Sequence, residues 1–233
     1  MPSVRRFRML FSSPVYFVFF VVYFGLHVLL PVRYRLLLII VGSAVFYSYW
    51  KIAYAWVPYF LTAIAYFGAV WMDATSDEHR RKRRLQATIV ALLVPLALFK
   101  YTNFVYADVL GWAFSFEGQL VDWSLPLGIS FVTFTLIAYV VDAFKRRFAV
   151  ERRLQMLVAY ATFFPHLIAG PILRPHELIP QLDRMRKVLN IRFTVGITIF
   201  SVGLVKKLVF ADQIAVTVDR VFGTPEGHSA FDY

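Results

Sequence analysis

The chain has 233 residues, 59% of them hydrophobic and 18% aromatic, with a mean hydropathy of +0.62, whereas soluble domains are roughly 45–50% apolar. The formal net charge of +11 does not imply nucleic acid: the basic residues lie in short loops between apolar runs, where they set topology and touch anionic lipid, and they form no binding module. Cysteine is absent, which removes disulfides, thiolate metal sites and thiol nucleophiles together.

Apolar runs recur from Pro14 to Phe210, so the expected fold class is all-α: a polytopic transmembrane helical bundle in a lipid bilayer. The first run, 14–30, is followed by Pro31 and basic residues. It lacks a small-residue cleavage site and therefore reads as a span, not a signal peptide. Further spans are expected at 36–50, 52–72 and 85–99, with Pro58 and Pro95 inside the last two. Residues 77–84 read as a charged loop, 100–116 as an aromatic interfacial segment and 117–124 as an acidic loop. The fifth span is 125–141, with Pro126 suited to a first helical turn, and the basic stretch 145–153 follows. Residues 174–192 read as a charged connector, partly an amphipathic surface helix. The last span is 193–210, interrupted by Lys206-Lys207.

The Lys/Arg bias sets orientation. With the N-terminus outside the cytoplasm, Arg33 and Arg35, the cluster 80–84 and the stretch 145–153 all fall inside. The opposite loops are nearly free of basic charge. Arg5, Arg6 and Arg8 disagree, since they would lie outside.

The stretch Phe163-Phe164-Pro165-His166-Leu167-Ile168-Ala169-Gly170-Pro171-Ile172-Leu173-Arg174 is apolar enough for membrane depth, yet it carries two prolines, a glycine, a histidine and an arginine. Each proline removes a backbone donor and clashes with the preceding turn. Broken backbone is tolerated in a bilayer only where protein or a water-filled cavity surrounds it. A broken or re-entrant segment lining a cavity is expected near 163–174. An ionisable group at that depth is a candidate functional residue. The residue types leave a second reading open, in which a helix ends at Pro165 and His166 bonds a neighbouring carbonyl.

Other motifs are few. No Gly-rich phosphate loop and no G-x-S-x-G elbow occur, and His176-Glu177 lacks the second histidine of a zinc helix because Pro180 stands there. No metal site is expected. Asp77-Glu78-His79 lies in a solvated charge run, His27 near the end of the first span and His228 in the polar tail. Lys206 and Lys207 have two accounts: snorkelling at a helix end, or cationic contact with an anionic ligand in a cavity. Asp142 closes the fifth span and can serve as a helix-end ion partner.

The stretch from Phe163 to Arg174 resembles the membrane-bound O-acyltransferase family, in its alginate O-acetyltransferase-like branch. Three more stretches match in order: Met9-Leu10-Phe11-Ser12-Ser13, then Leu125-Pro126-Leu127-Gly128-Ile129-Ser130-Phe131 with Tyr139 and Asp142, and then Gly203-Leu204-Val205-Lys206-Lys207 with Ala211-Asp212. The resemblance covers nearly the whole chain. It implies residues 1–8 as an extension or mis-start, 9–222 as the N-terminal half of the family's transmembrane domain, and 223–233 as a polar loop at which the chain is cut.

The resemblance further implies an acyltransferase of the bacterial inner membrane. Acetyl would come from a cytoplasmic donor, acetyl-coenzyme A, with no resident cofactor. It would pass towards hydroxyls of an extracytoplasmic, alginate-like polysaccharide acceptor, with a periplasmic acetyltransferase partner completing the transfer. The family's catalytic histidine is expected beyond Tyr233, so the chain is expected to be incomplete and inactive alone. His166, Arg174, Lys206, Lys207 and Asp142 stand as cavity or motif candidates, not as the base. Two other classes stay open: a transporter or flippase, and a non-catalytic membrane subunit.

Overall fold

The computed structural model describes residues 13–106, 124–167, 173–187 and 193–223, and among these every regular element is helical. The chain forms two compact units, Met1–Leu189 and Asn190–Tyr233. In the first, α1 (Pro14–Leu29) starts with its proline in the first turn, and Ser13 Oγ accepts from Tyr16 N at 3.2 Å. It stops at the extended Leu30, as the following Pro31 favours. Helix α2 (Val32–Lys51) begins at once, ahead of the start expected at residue 36, and takes Arg33 and Arg35 into its first turn. A 3-10 turn at Ile52–Tyr54 leads to α3 (Val57–Asp73), with Pro58 in its first turn.

The charged run 77–84 is not a loop. It is the start of α4 (Glu78–Phe104), because Asp77 Oδ1 caps the helix by accepting from His79 N at 2.9 Å and Arg80 N at 3.5 Å. Pro95 sits inside α4 without ending it. Helix α5 (Ile129–Phe144) starts later than expected, and Pro126 lies ahead of it. Gly128, at φ 67°, turns the chain in the left-handed region, and Ile129 N donates back to Pro126 O at 3.2 Å. After a basic loop come α6 (Leu154–Thr162), the short α7 (Phe164–Leu167) and α8 (Pro175–Lys187).

Helix α3 is central: it packs on α4, α5 and α6, while α2 packs on α1, α6 and α8. Leu61, Ala65 and Ala69 of α3 are fully buried, with Leu92 of α4, Leu136 and Tyr139 of α5, and Met156, Leu157 and Tyr160 of α6. Small residues let α3 and α4 approach closely, as packing within a membrane requires. A Cβ on Gly68 would overlap the Thr88 side chain.

Among the described residues, three helical stretches are long and apolar enough to cross a membrane: Val32–Tyr54, Glu78–Phe104 and Phe193–Val218. Pro14–Leu29 and Ile129–Phe144 are shorter apolar helices. The outward faces carry large apolar side chains such as Val18, Val21, Leu29 and Phe67, a surface that lipid covers. The protein is thus a multi-pass membrane protein with an all-α bundle.

In the second unit, α9 (Phe193–Val205) continues through a π-helical segment (Lys206–Ala211) into α10 (Asp212–Gly223). The expected interruption at Lys206-Lys207 is a π turn, and the helix runs on past Phe210. A π segment widens the helix without ending it.

Candidate functional site: a helix break and its anchors

The backbone leaves the helix at Phe163 (φ −53°, ψ 108°), then restarts as α7. Pro165 falls in the first turn of that restart, where a missing N–H costs nothing. Two donors of the new turn, His166 N and Leu167 N, reach Phe163 O at 3.1 Å each. The first, Phe164 N, is met by a side chain from far away: Ser43 Oγ of α2 accepts it at 3.2 Å while donating to Ile39 O at 2.8 Å. The Phe164 ring is buried in an aromatic nest, with centroids 5.0 Å from Tyr23, 5.2 Å from Phe19 and 5.5 Å from Phe46. The expected re-entrant course turns on Gly170 and Pro171; residues 168–172 lie outside the described residues.

The far side of the break is tied down twice. Tyr160 Oη donates to Leu173 O at 2.8 Å. Arg174 Nη1 reaches Asp142 Oδ2 at 3.1 Å, and Arg147 Nη1 reaches the other oxygen at 2.9 Å. The Asp142 side chain is only 1% exposed. A carboxylate in the last turn of α5 opposes the helix dipole, so burial there depends on both guanidiniums. Arg174 N also donates to Glu177 Oε2 at 3.2 Å, which starts α8.

His166 is 4% exposed. Its ring is framed by Phe131 at 5.8 Å, Phe163 at 5.9 Å and Tyr160 at 6.4 Å. Neither ring nitrogen has a hydrogen-bond partner among the described residues, so the bond to a neighbouring carbonyl is not seen. Buried polar atoms are nearly always paired, and an orphan imidazole calls for an explanation.

Asp142, Arg174 and His166 therefore line one seam, between α5 on one side and α6 to α8 on the other, with Tyr160 touching both ends. Lys206 and Lys207 belong to the second unit. There Lys207 Nζ lies 2.8 and 2.9 Å from the Asp212 carboxylate, and Lys206 is exposed.

Sequence reasoning missed Ser43, Phe164 and Tyr160 as anchors, and also a second ion cluster. Arg153 bridges Glu151, with Nε at 2.9 Å, and Asp183 of α8, with Nη1 at 2.8 Å. Burial alone would push the Glu151 carboxyl up, but hydrogen bonds from Arg153 outweigh it and hold it below the ordinary value. Charge pattern could have suggested this cluster; nothing local marks Ser43.

Against known proteins, the chain is 34% identical over 219 residues to a protein of Azotobacter vinelandii named probable alginate O-acetylase AlgI, an alignment covering 92% of this chain and 44% of that one. The Pseudomonas aeruginosa protein of the same name is 35% identical, over 92% and 42%. Over nearly its whole length the chain is thus similar to proteins named alginate O-acetylase. A Helicobacter pylori protein named peptidoglycan O-acetyltransferase is 30% identical over 94% of this chain and 47% of its own length. The chain spans less than half the length of these relatives. No family model matches it, and no solved structure does.

Proposed function

We propose that this chain is the front portion of a membrane-bound O-acetyltransferase acting on a glycan. Identity sustained across 92% of the chain to proteins named alginate O-acetylase carries the reading. The relative named for peptidoglycan widens the acceptor from alginate to glycan hydroxyls in general. In this reading the enzyme lies in the inner membrane with its N-terminus outside the cytoplasm, as the basic loops favour. The donor is cytoplasmic acetyl-coenzyme A, and a periplasmic acetyltransferase partner delivers the group to the acceptor.

The reaction requires a hydroxyl oxygen to attack the thioester carbonyl, a base to take its proton, and donors to hold the tetrahedral oxyanion. In this reading the base is supplied from outside the residues in hand. The residues in hand fix the framework: Asp142 and Tyr160 hold the break from Phe163 to Arg174. His166, buried without a partner, offers a hydrogen-bonding group to whatever polar atom enters the seam.

The test is acetyl ester content of exported glycan in a host lacking its own O-acetylase. The complete reading frame with its periplasmic partner should yield alkali-labile acetate, and residues 1–233 alone should not. Acetylation by 1–233 alone would overturn the placement of the base. An unacetylated glycan from the complete frame, with normal protein in the membrane, would overturn the whole reading.

A further inference from the structure

At the basic end of the first unit lies a cavity of about 570 Å³, within the size range of small-ligand sites. Asp73 at the end of α3, Thr75 and Ser76 of the α3–α4 turn, Arg81 of α4, and Arg146 and Phe148 of the loop after α5 line it.

The backbone at Arg146 is unusual. Arg146 N donates to Ala143 O at 3.1 Å and Arg147 N to Asp142 O at 3.0 Å, the paired bonds of a helix terminus that glycine normally completes. Arg146 fills that position at φ 55°, the one non-glycine residue with positive φ among the described residues. Strain of this kind persists where the surroundings or a function hold it. Among the described residues the Arg146 guanidinium has no ion pair. Arg81, 5% exposed, spends N–H groups on Glu78 Oε2 at 3.3 Å and Phe144 O at 3.2 Å and lies 5.2 Å over the Phe144 ring, which leaves further N–H groups of its fork without a hydrogen-bond acceptor among the described residues. The one carboxylate on the wall, Asp73, is already paired with Arg152. Two guanidiniums and two hydroxyls thus face a space with little unpaired negative charge.

Guanidinium forks match carboxylate and phosphate oxygens bidentately, and a phosphate, with more oxygens to share, can be held by two forks at once. The cavity also lies beside the basic runs 80–84 and 145–153, of the kind that attracts anionic headgroups. We propose that it binds a phosphate group, clamped between Arg146 and Arg81, as a built site and not as diffuse attraction. The phosphate can come from an anionic phospholipid headgroup or from a soluble phosphate, and the experiment separates the two.

The full chain is reconstituted in nanodiscs of mixed phosphatidylglycerol and phosphatidylcholine, and retained lipid is read by native mass spectrometry. Inorganic phosphate binding is read in parallel, in phosphatidylcholine alone, by ³¹P line broadening. Arg146→Gly suits the backbone and should leave the melting temperature unchanged or higher, which separates binding from folding. It is expected to lower phosphatidylglycerol retention by about fivefold, with Arg146→Lys intermediate and the exposed Arg83→Ala near wild type. Retention that depends on Arg146 and survives millimolar phosphate assigns the lipid source. Arg146-dependent broadening of inorganic phosphate assigns the soluble one. Retention and broadening that ignore Arg146, or fall equally with Arg83→Ala, would overturn the site. None of these readouts involves acetyl transfer, so failure here leaves the proposed activity untouched, and the reverse.

Discussion

Two proline-bearing stretches of this protein behave in opposite ways. Pro95 lies in the middle of α4, and the helix runs straight through it to Phe104. Near Pro165 the helix stops, at Phe163, and a new one begins. A proline in a helix interior deletes one hydrogen bond and crowds the carbonyl one turn back; α4 bears that cost at Pro95, whereas the break at Phe163 puts Pro165 in a first turn and avoids it. The difference lies in what surrounds them. Leu92 and Leu96 flank Pro95 and are both buried, so packing holds the α4 backbone in register. Around Phe163 the partners hold it out of register: an aromatic nest for Phe164, a hydroxyl for its N–H, a phenol for Leu173 O and a carboxylate for Arg174. Proline permits a break; distant side chains decide whether one forms.

Substitutions can test that contrast, read as unfolding midpoints in detergent. Phe164→Ala should cost most, about 3 kcal/mol, because the emptied nest of Phe19, Tyr23 and Phe46 cannot collapse fully. Asp142→Ala should cost about 2 kcal/mol, a figure discounted because the Arg147 and Arg174 side chains it leaves behind are 49% and 45% exposed. Tyr160→Phe removes one hydrogen bond and should cost about 1 kcal/mol. Pro95→Ala should move the other way, gaining up to about 1 kcal/mol, since it restores a helical donor. A Pro95→Ala loss as large as that of Phe164→Ala would abolish the contrast.

The smallest effect concerns pH. The Glu151 carboxyl is held below its ordinary value of 4.5, so its contribution is complete above that value. It fades as pH falls through the lower folded value. Wild type should therefore lose stability below about pH 4.5 relative to Glu151→Gln, and parallel pH curves for the two proteins would show that the Arg153 contact adds nothing.

The apolar spans were legible because lipid imposes length and composition on them. The run beginning at Pro14 and the stretch from Leu36 to Trp50 lie within observed helices. Boundaries failed where capping outweighed polarity: Asp77 drew the whole basic run 80–84 into α4, and Gly128 pushed the start of α5 past Pro126. The break at 163–174 could be read from its own residues, and so could Asp142 as an ion partner. Its partner Arg147 lies five residues on, whereas Arg174 and the anchors Ser43 and Tyr160 are set by tertiary proximity and leave no local trace. Lys206-Lys207 looked like an interruption because two charges in an apolar run resemble an end, whereas a π turn absorbs them.

The hydrogen bond from Phe164 N to Ser43 also fixes an order in time. Its two ends are 121 residues apart, and the serine is synthesised first. A chain made from its N-terminus has the α1–α2 hairpin in the bilayer before Phe163 emerges. The amide exposed by the break then meets a hydroxyl and an aromatic nest already in place, where lipid would have left it unpaired at a cost of several kcal/mol. The hairpin is thus a mould cast early for a bend made late, and Ser43→Ala should slow assembly of the folded bundle more than it weakens the finished one.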